Sequence, residues 1–241
     1  MSQTDPLAGQ AAIEAHEAEV VACRACPRLV AWRENVAATK RAAFAQQDYW
    51  GRPVPGFGDP DAWLLIVGLA PGAHGSNRTG RMFTGDRSGE WLFASLHRAG
   101  FASTPVATAR DDGLELMGAW LTAAVRCAPP ANKPAPDEWA ACRPFLAREV
   151  ALLPRVRVVV ALGAFAWQKV LDVGRDVGWA VPRPVPRFGH GASADLGAVA
   201  LVGSYHPSQQ NTFTGKLTEP MLDAVWAAAK GHPRAARSAT E

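Results

Sequence analysis

The stretch Val156–Leu162 reads VRVVVAL, and it decides the fold. Consecutive β-branched residues are stiff and suit a pleated strand. No polar residue alternates through its second half, so both faces of such a strand are buried, as in a parallel sheet covered on two sides. Working outward, three more apolar runs of the same length appear: Ala62–Gly68 (AWLLIVG), Trp120–Arg126 (WLTAAVR) and Ala198–Ser204. Between and after them lie helical segments. Ser88–Gly100 places Trp91, Leu92, Ser95, Leu96 and Ala99 on one face. Pro136–Leu153 opens with Pro136-Asp137-Glu138, a helix-start signature. Gly163–Leu171 and Leu217–Lys230 complete the set. This alternation predicts an α/β fold, a three-layer α/β/α sandwich around a central parallel sheet of about four strands.

The chain has 241 residues, 48% of them hydrophobic, which suits one domain spanning 1–241. Residues 7 to about 38 read as helical, interrupted at Cys23-Arg24-Ala25-Cys26-Pro27, and 39–60 as a long irregular segment. Segment 1–60 thus carries two of the four cysteines. The tail 231–241 reads as disordered. No stretch approaches the roughly 20 apolar residues of a membrane span. The opening MSQTDPLAGQ lacks a basic region followed by an apolar one, so a cytoplasmic protein is expected. A net charge of +3 permits nucleic-acid binding without requiring it.

In open α/β sheets, ligands bind beyond the carboxyl ends of the strands. The first apolar run ends in Gly68-Leu69-Ala70-Pro71-Gly72-Ala73-His74-Gly75 and continues through Asn77–Asp86 (NRTGRMFTGD). The second is followed by Cys127 and a loop holding Asn132 and Lys133, the fourth by Tyr205-His206-Pro207-Ser208-Gln209-Gln210-Asn211. Singly, His206 reads as a structural histidine and Asp86 as a helix N-cap. Three polar loops on one rim point instead to a site. The Gly-rich loop lacks both the phosphate-binding Gly-Lys-Ser/Thr ending and the dinucleotide Gly-x-Gly-x-x-Gly pattern.

Cys23 and Cys26 form a C-x2-C pair, while Cys127 and Cys142 stand 15 residues apart. Four thiolates suit zinc or an iron–sulfur cluster. Structural zinc more often uses two tight knuckles, and only one is present, so the spacing favours the cluster. Zinc, or four unrelated buried thiols, remain the alternatives. A shared site would tie the N-terminal segment to the loop after the second strand.

Taken together, Cys23-x2-Cys26, Gly68-Leu69-Ala70-Pro71, Asn77–Asp86, Cys127 with Cys142, and His206–Asn211 closely resemble the uracil-DNA glycosylase superfamily, and within it the family 5 (B-type) iron–sulfur branch. The resemblance covers roughly residues 20 to 230. It implies an enzyme of base-excision repair that removes uracil and other deaminated bases from DNA, leaving an abasic site. It further implies a [4Fe–4S] cluster on Cys23, Cys26, Cys127 and Cys142, and Phe83 stacked on the extruded base. His206 would bond the uracil O2, Asp86 would hold the water or stabilise the sugar cation, and Asn132 would assist. Gly68, Leu69, Ala70, Ala123 and Asn211 would complete the base pocket. The loop Pro207–Asn211 and its continuation to Lys216 would enter the minor groove.

Two departures from other branches bear on selectivity. Leu69-Ala70 replaces an acidic position beside the proline, and Ala123 replaces an asparagine that reads the uracil edge. Both are typical of family 5 and imply a wider base range that includes hypoxanthine. Arg78, Arg81, Arg87, Lys133 and Lys216 flank the rim loops and are expected to contact DNA. A monomer is expected. Two other classes fit parts of the pattern: a non-catalytic iron–sulfur protein that binds DNA and senses redox state, and a zinc-bearing small-molecule hydrolase. The combination of Asp86, His206 and Phe83 favours the glycosylase.

Overall fold

The computed structural model describes residues 6–235. The strands are β1 (Phe57–Gly58), β2 (Leu64–Gly68), β3 (Ala119–Ala123), β4 (Val158–Leu162), β5 (Ser193–Asp195) and β6 (Ala200–Ser204). The helices are α1 (Pro6–Ala22), α2 (Pro27–Thr39), α3 (Ser76–Thr79), α4 (Arg87–Arg98), α5 (Pro136–Leu152), α6 (Ala164–Asp176), α7 (Gln209–Phe213) and α8 (Glu219–Gly231). One sheet runs in the order β1-β3-β2-β4-β6-β5. The four expected strands, β3, β2, β4 and β6, are mutually parallel and wholly buried. Two short antiparallel strands extend the edges: β1 beside β3, and β5 beside β6.

Period-two alternation along the buried strands fills both faces. Leu64, Ile66, Leu121, Val158, Val160 and Val202 pack against Leu92 and Phe93 of α4 and Val225 and Trp226 of α8. Leu65, Val67, Trp120, Val159 and Leu201 point the other way, toward Ile13 of α1, Leu29 of α2, Leu146 of α5 and Trp167 of α6. The result is the expected three layers. Helix starts follow their local chemistry. Asp86 caps α4 by accepting from the Gly89 amide at 3.0 Å, and Glu138 of α5 reaches back to the Ala135 amide at 2.7 Å.

Some boundaries differ from expectation. The second strand ends at Ala123, because the Ala124 and Val125 amides turn to the carbonyls of Gly68 and Leu69, each at 3.0 Å. The helix after β4 runs on to Asp176. The segment 39–60 contains a 3-10 turn at Ala42–Phe44 as well as β1. The expectation of a disordered tail from 231 fails for residues 231–235. Gly231 completes α8, and Arg234 pairs with Asp195 of β5 at 2.7 Å. Residues 236–241 lie outside the described residues.

Candidate active site

The loops beyond the carboxyl ends of β2, β3 and β6 enclose a cavity of about 820 Å³. Leu69, Ala70, Phe83, Asp86, Asn132 and His206 all line it. The residues picked from three separate strand ends therefore meet in one place.

Asp86 is fixed by its capping role. One carboxylate oxygen accepts from Gly89, and the other lies against the backbone of the loop after β2, where a Cβ on Gly75 would come within 2.0 Å of it and one on Gly72 within 2.8 Å. Only glycine permits that approach. Burial pushes the Asp86 carboxyl above the ordinary range, while the Gly89 and Ser88 amides and Arg78 pull it back.

Phe83 adopts a left-handed backbone, φ +52°, which turns its ring under the strand end. A Cβ on Gly68 would stand 2.7 Å from that ring, so Gly68 serves the site by being absent as a side chain. The Phe83 ring lies 5.6 Å from the His206 ring, tilted by 30°. Burial lowers the His206 pKa to about 4, so the imidazole is neutral at physiological pH and carries one N–H. Asn132 follows Ala131 in left-handed conformation, φ +56° and +52°. Its loop is pinned from α2 by Arg28, which donates to the Lys133 carbonyl at 3.1 Å and grips Glu138 of α5 with two bonds of 2.7 Å. A neutral donor, a carboxylate, an amide and an aromatic face thus surround one volume.

Three expected pocket residues do not line the cavity. Gly68 lies beneath Phe83, and Ala123 is buried beside it in the sheet. Asn211 supports the site from behind, its amide donating to the His206 carbonyl at 2.8 Å. Two expected DNA contacts are corrected as well. Arg78 is buried and braces the loop, donating to the carbonyls of His74 and Gly85 and to Gln47. Arg81 is buried in a two-bond pair with Asp112. Arg87, Lys133 and Lys216 are exposed. The cavity also takes in Arg41, Phe44 and His74, which the sequence reading did not select. His74 stands in the glycine-rich loop already singled out, with Nδ1 3.1 Å from the Tyr49 hydroxyl. Arg41 and Phe44 come from the irregular segment and carry no pattern.

Cys23, Cys26, Cys127 and Cys142 line one separate cavity, walled by Leu29, Val30, Val125 and Phe145. Burial pushes the Cys127 thiol up to about 11 and Cys142 up to about 12. Among the described residues no group of three or more His, Cys, Asp or Glu side chains is placed to hold a metal ion, although all four thiols line this one cavity. Arg33 donates to the Cys127 sulfur at 2.8 Å, and the Arg126 amide to the Cys142 sulfur at 3.3 Å.

Among the described residues no helix is long and apolar enough to cross a membrane. The family model described as the uracil DNA glycosylase superfamily matches residues 55–230. The chain is 58% identical over 210 residues to a Type-5 uracil-DNA glycosylase of Mycobacterium tuberculosis, covering 86% of this chain and 77% of that protein. It is 56% identical over 224 residues to the Mycobacterium leprae protein of the same name (92% and 96%), and 53% identical over 218 residues to that of Thermus thermophilus (90% and 96%).

Proposed function

This chain belongs to the uracil DNA glycosylase superfamily, and from that premise we propose that it hydrolyses the N-glycosidic bond of uracil in DNA, leaving an abasic site for base-excision repair. The observation that carries the reading is the meeting of Phe83, His206 and Asp86 in one cavity.

A base must leave the helical stack before it can be cut from its sugar. The cavity receives the extruded base, and Phe83 stacks on it, a contact worth about 1–3 kcal/mol. Bond cleavage places negative charge on the base and positive charge on the sugar. The neutral His206 donates its N–H to the uracil O2 as charge gathers there, and the ionised Asp86 faces the sugar cation and holds the attacking water. Both act on charge that exists only in the transition state, which is the source of their effect. Asn132 offers its amide to the same water or base. The side chains of Leu69 and Ala70 offer no polar group to a base edge, and Ala123 lies buried in the sheet. This favours a base range that extends to hypoxanthine. Exposed Arg87, Lys133 and Lys216 supply contacts to the DNA backbone. The enzyme works as a monomer in the cytoplasm, on the nucleoid.

The cysteine set suits a [4Fe–4S] cluster held by Cys23, Cys26, Cys127 and Cys142. Support comes from four thiols around one apolar space and from the buried guanidinium aimed at them. When bound, the cluster would supply a structural cross-link joining the α1–α2 junction, the loop after β3 and α5. The residues of the cut itself are Asp86, Asn132, Phe83 and His206.

The test is release of free base from duplexes carrying a single uracil, a single hypoxanthine or neither, scored by alkali cleavage. Uracil and hypoxanthine release, with the undamaged duplex intact, is the expected result. Binding without release would overturn the reading in favour of a DNA-binding protein, and release of uracil alone would remove the wider base range.

A further inference from the structure

Two arginines are buried beside the cysteines, and they differ in one respect. Arg126 has a partner of opposite charge, because Glu149 pairs with it and also accepts from Trp120. Arg33 is 2% exposed and has no carboxylate partner among the described residues. One terminal nitrogen donates to the Cys127 sulfur at 2.8 Å, the other donates to the Cys23 carbonyl at 3.1 Å, and Nε has no partner. Removing an unpaired guanidinium from water costs several kcal/mol and does not persist without compensation. Glu34, next on the helix, is exposed and paired with Arg24, so the groups in the cavity of Arg33 that can carry negative charge are the four cysteines.

We infer that Arg33 is the charge partner of the group held by Cys23, Cys26, Cys127 and Cys142, retaining it and raising its reduction potential through its charge and its N–H···S bond to Cys127. The inference rests on the reading of those cysteines as an iron–sulfur site. Four thiolates outweigh the positive core of such a cluster, so the loaded set is an anion. A buried cation beside it offsets both desolvation costs at once. Adding an electron makes the set more negative, so the same cation favours the reduced form. Hydrogen bonds to the sulfurs and local charge are the levers by which a protein sets a cluster potential. Outer partners of this kind typically change metal retention by about 10–100-fold.

The experiment compares the parent with Arg33→Leu, Arg33→Gln and Arg33→Lys, all purified without oxygen. Iron and sulfide per chain, the rate of iron loss to a chelator and the midpoint potential are measured, with circular dichroism as the check on folding. The Leu and Gln proteins are expected to lose iron about 10–100-fold faster and to show a lower potential, with Lys close to the parent. Unchanged retention and potential in a folded Leu protein would overturn the inference. So would faster iron loss at an unchanged potential, which marks a packing role alone. If the Leu protein does not fold, Gln against Lys decides, and equal values for the two overturn it. A parent that holds no iron would sink the reading of the cysteines themselves, a failure distinct from the others.

Discussion

The side-chain amide of Asn77 donates to the backbone carbonyl of Arg33 at 3.2 Å, joining the catalytic loop to the helix that borders the cysteines. Asn77 is wholly buried in α3, and its backbone N–H donates to the Gly72 carbonyl at 3.0 Å, beside the carboxylate of Asp86. One residue therefore spans the gap between two sites that share no lining residue. Asn77→Ala leaves a buried carbonyl without its partner and is expected to cost about 1–3 kcal/mol. Urea unfolding measures that loss. Excision should slow because the loop loses its tie to α2, while the bond to the Gly72 carbonyl, made by the backbone at 77, is retained. A variant with parental stability and rate would mean that the link carries no strain between the sites.

Asp86 is expected to trade stability for activity. Its folded pKa is raised, mainly by burial. A raised carboxyl adds stability below its unfolded pKa and loses that contribution as pH rises through the folded value. The ionised form needed for catalysis is thus the less stable one. Asp86→Asn retains a good N-cap for α4, so the melting temperature should rise at neutral pH and the gain should fade in acid. Excision should fall by about a hundredfold or more. The parent's rate should decline on the acid side at a pH above the ordinary carboxylate range, with no limb near a histidine pKa of about 6.5, because His206 stays neutral down to about pH 4.

Exposed and buried cations should separate cleanly in DNA binding. Lys216 is exposed with its amine 4.8 Å from the Tyr205 ring. Lys216→Ala should weaken binding across sequences and reduce the salt slope by about 1, read from affinities at several salt concentrations. Arg81→Ala breaks a buried pair with Asp112. It should cost about 3–5 kcal/mol of stability and leave the salt slope of the surviving folded protein unchanged.

The four parallel strands were legible because burial on both faces writes a continuous apolar run, as in VRVVVAL. The edge strands were not. β1 has two residues and β5 three partly exposed ones, so neither leaves a periodic trace. At the site, Asp86, Asn132 and His206 were legible as polar residues in the loops that follow strand ends, where ligands bind, while Phe83 was legible through the family resemblance alone. The arginines were misread for a physical reason. Arg78 and Arg81 stand in the rim loop like Arg87, but their partners Gln47 and Asp112 are 31 residues away in either direction. Only the folded chain reveals whether a guanidinium is spent internally. Arg41 and Phe44 were missed because an irregular segment with a single 3-10 turn carries no periodic trace of what it covers.

The most direct test is single-turnover excision from a uracil duplex by the parent and by His206→Ala, with duplex affinity measured alongside. The parent is expected to release uracil, and the variant to bind DNA with similar affinity while cutting about a hundred- to a thousand-fold more slowly, as for loss of one transition-state donor. Equal rates for the two proteins would contradict the role of His206, and no release by the folded parent would contradict the glycosylase itself.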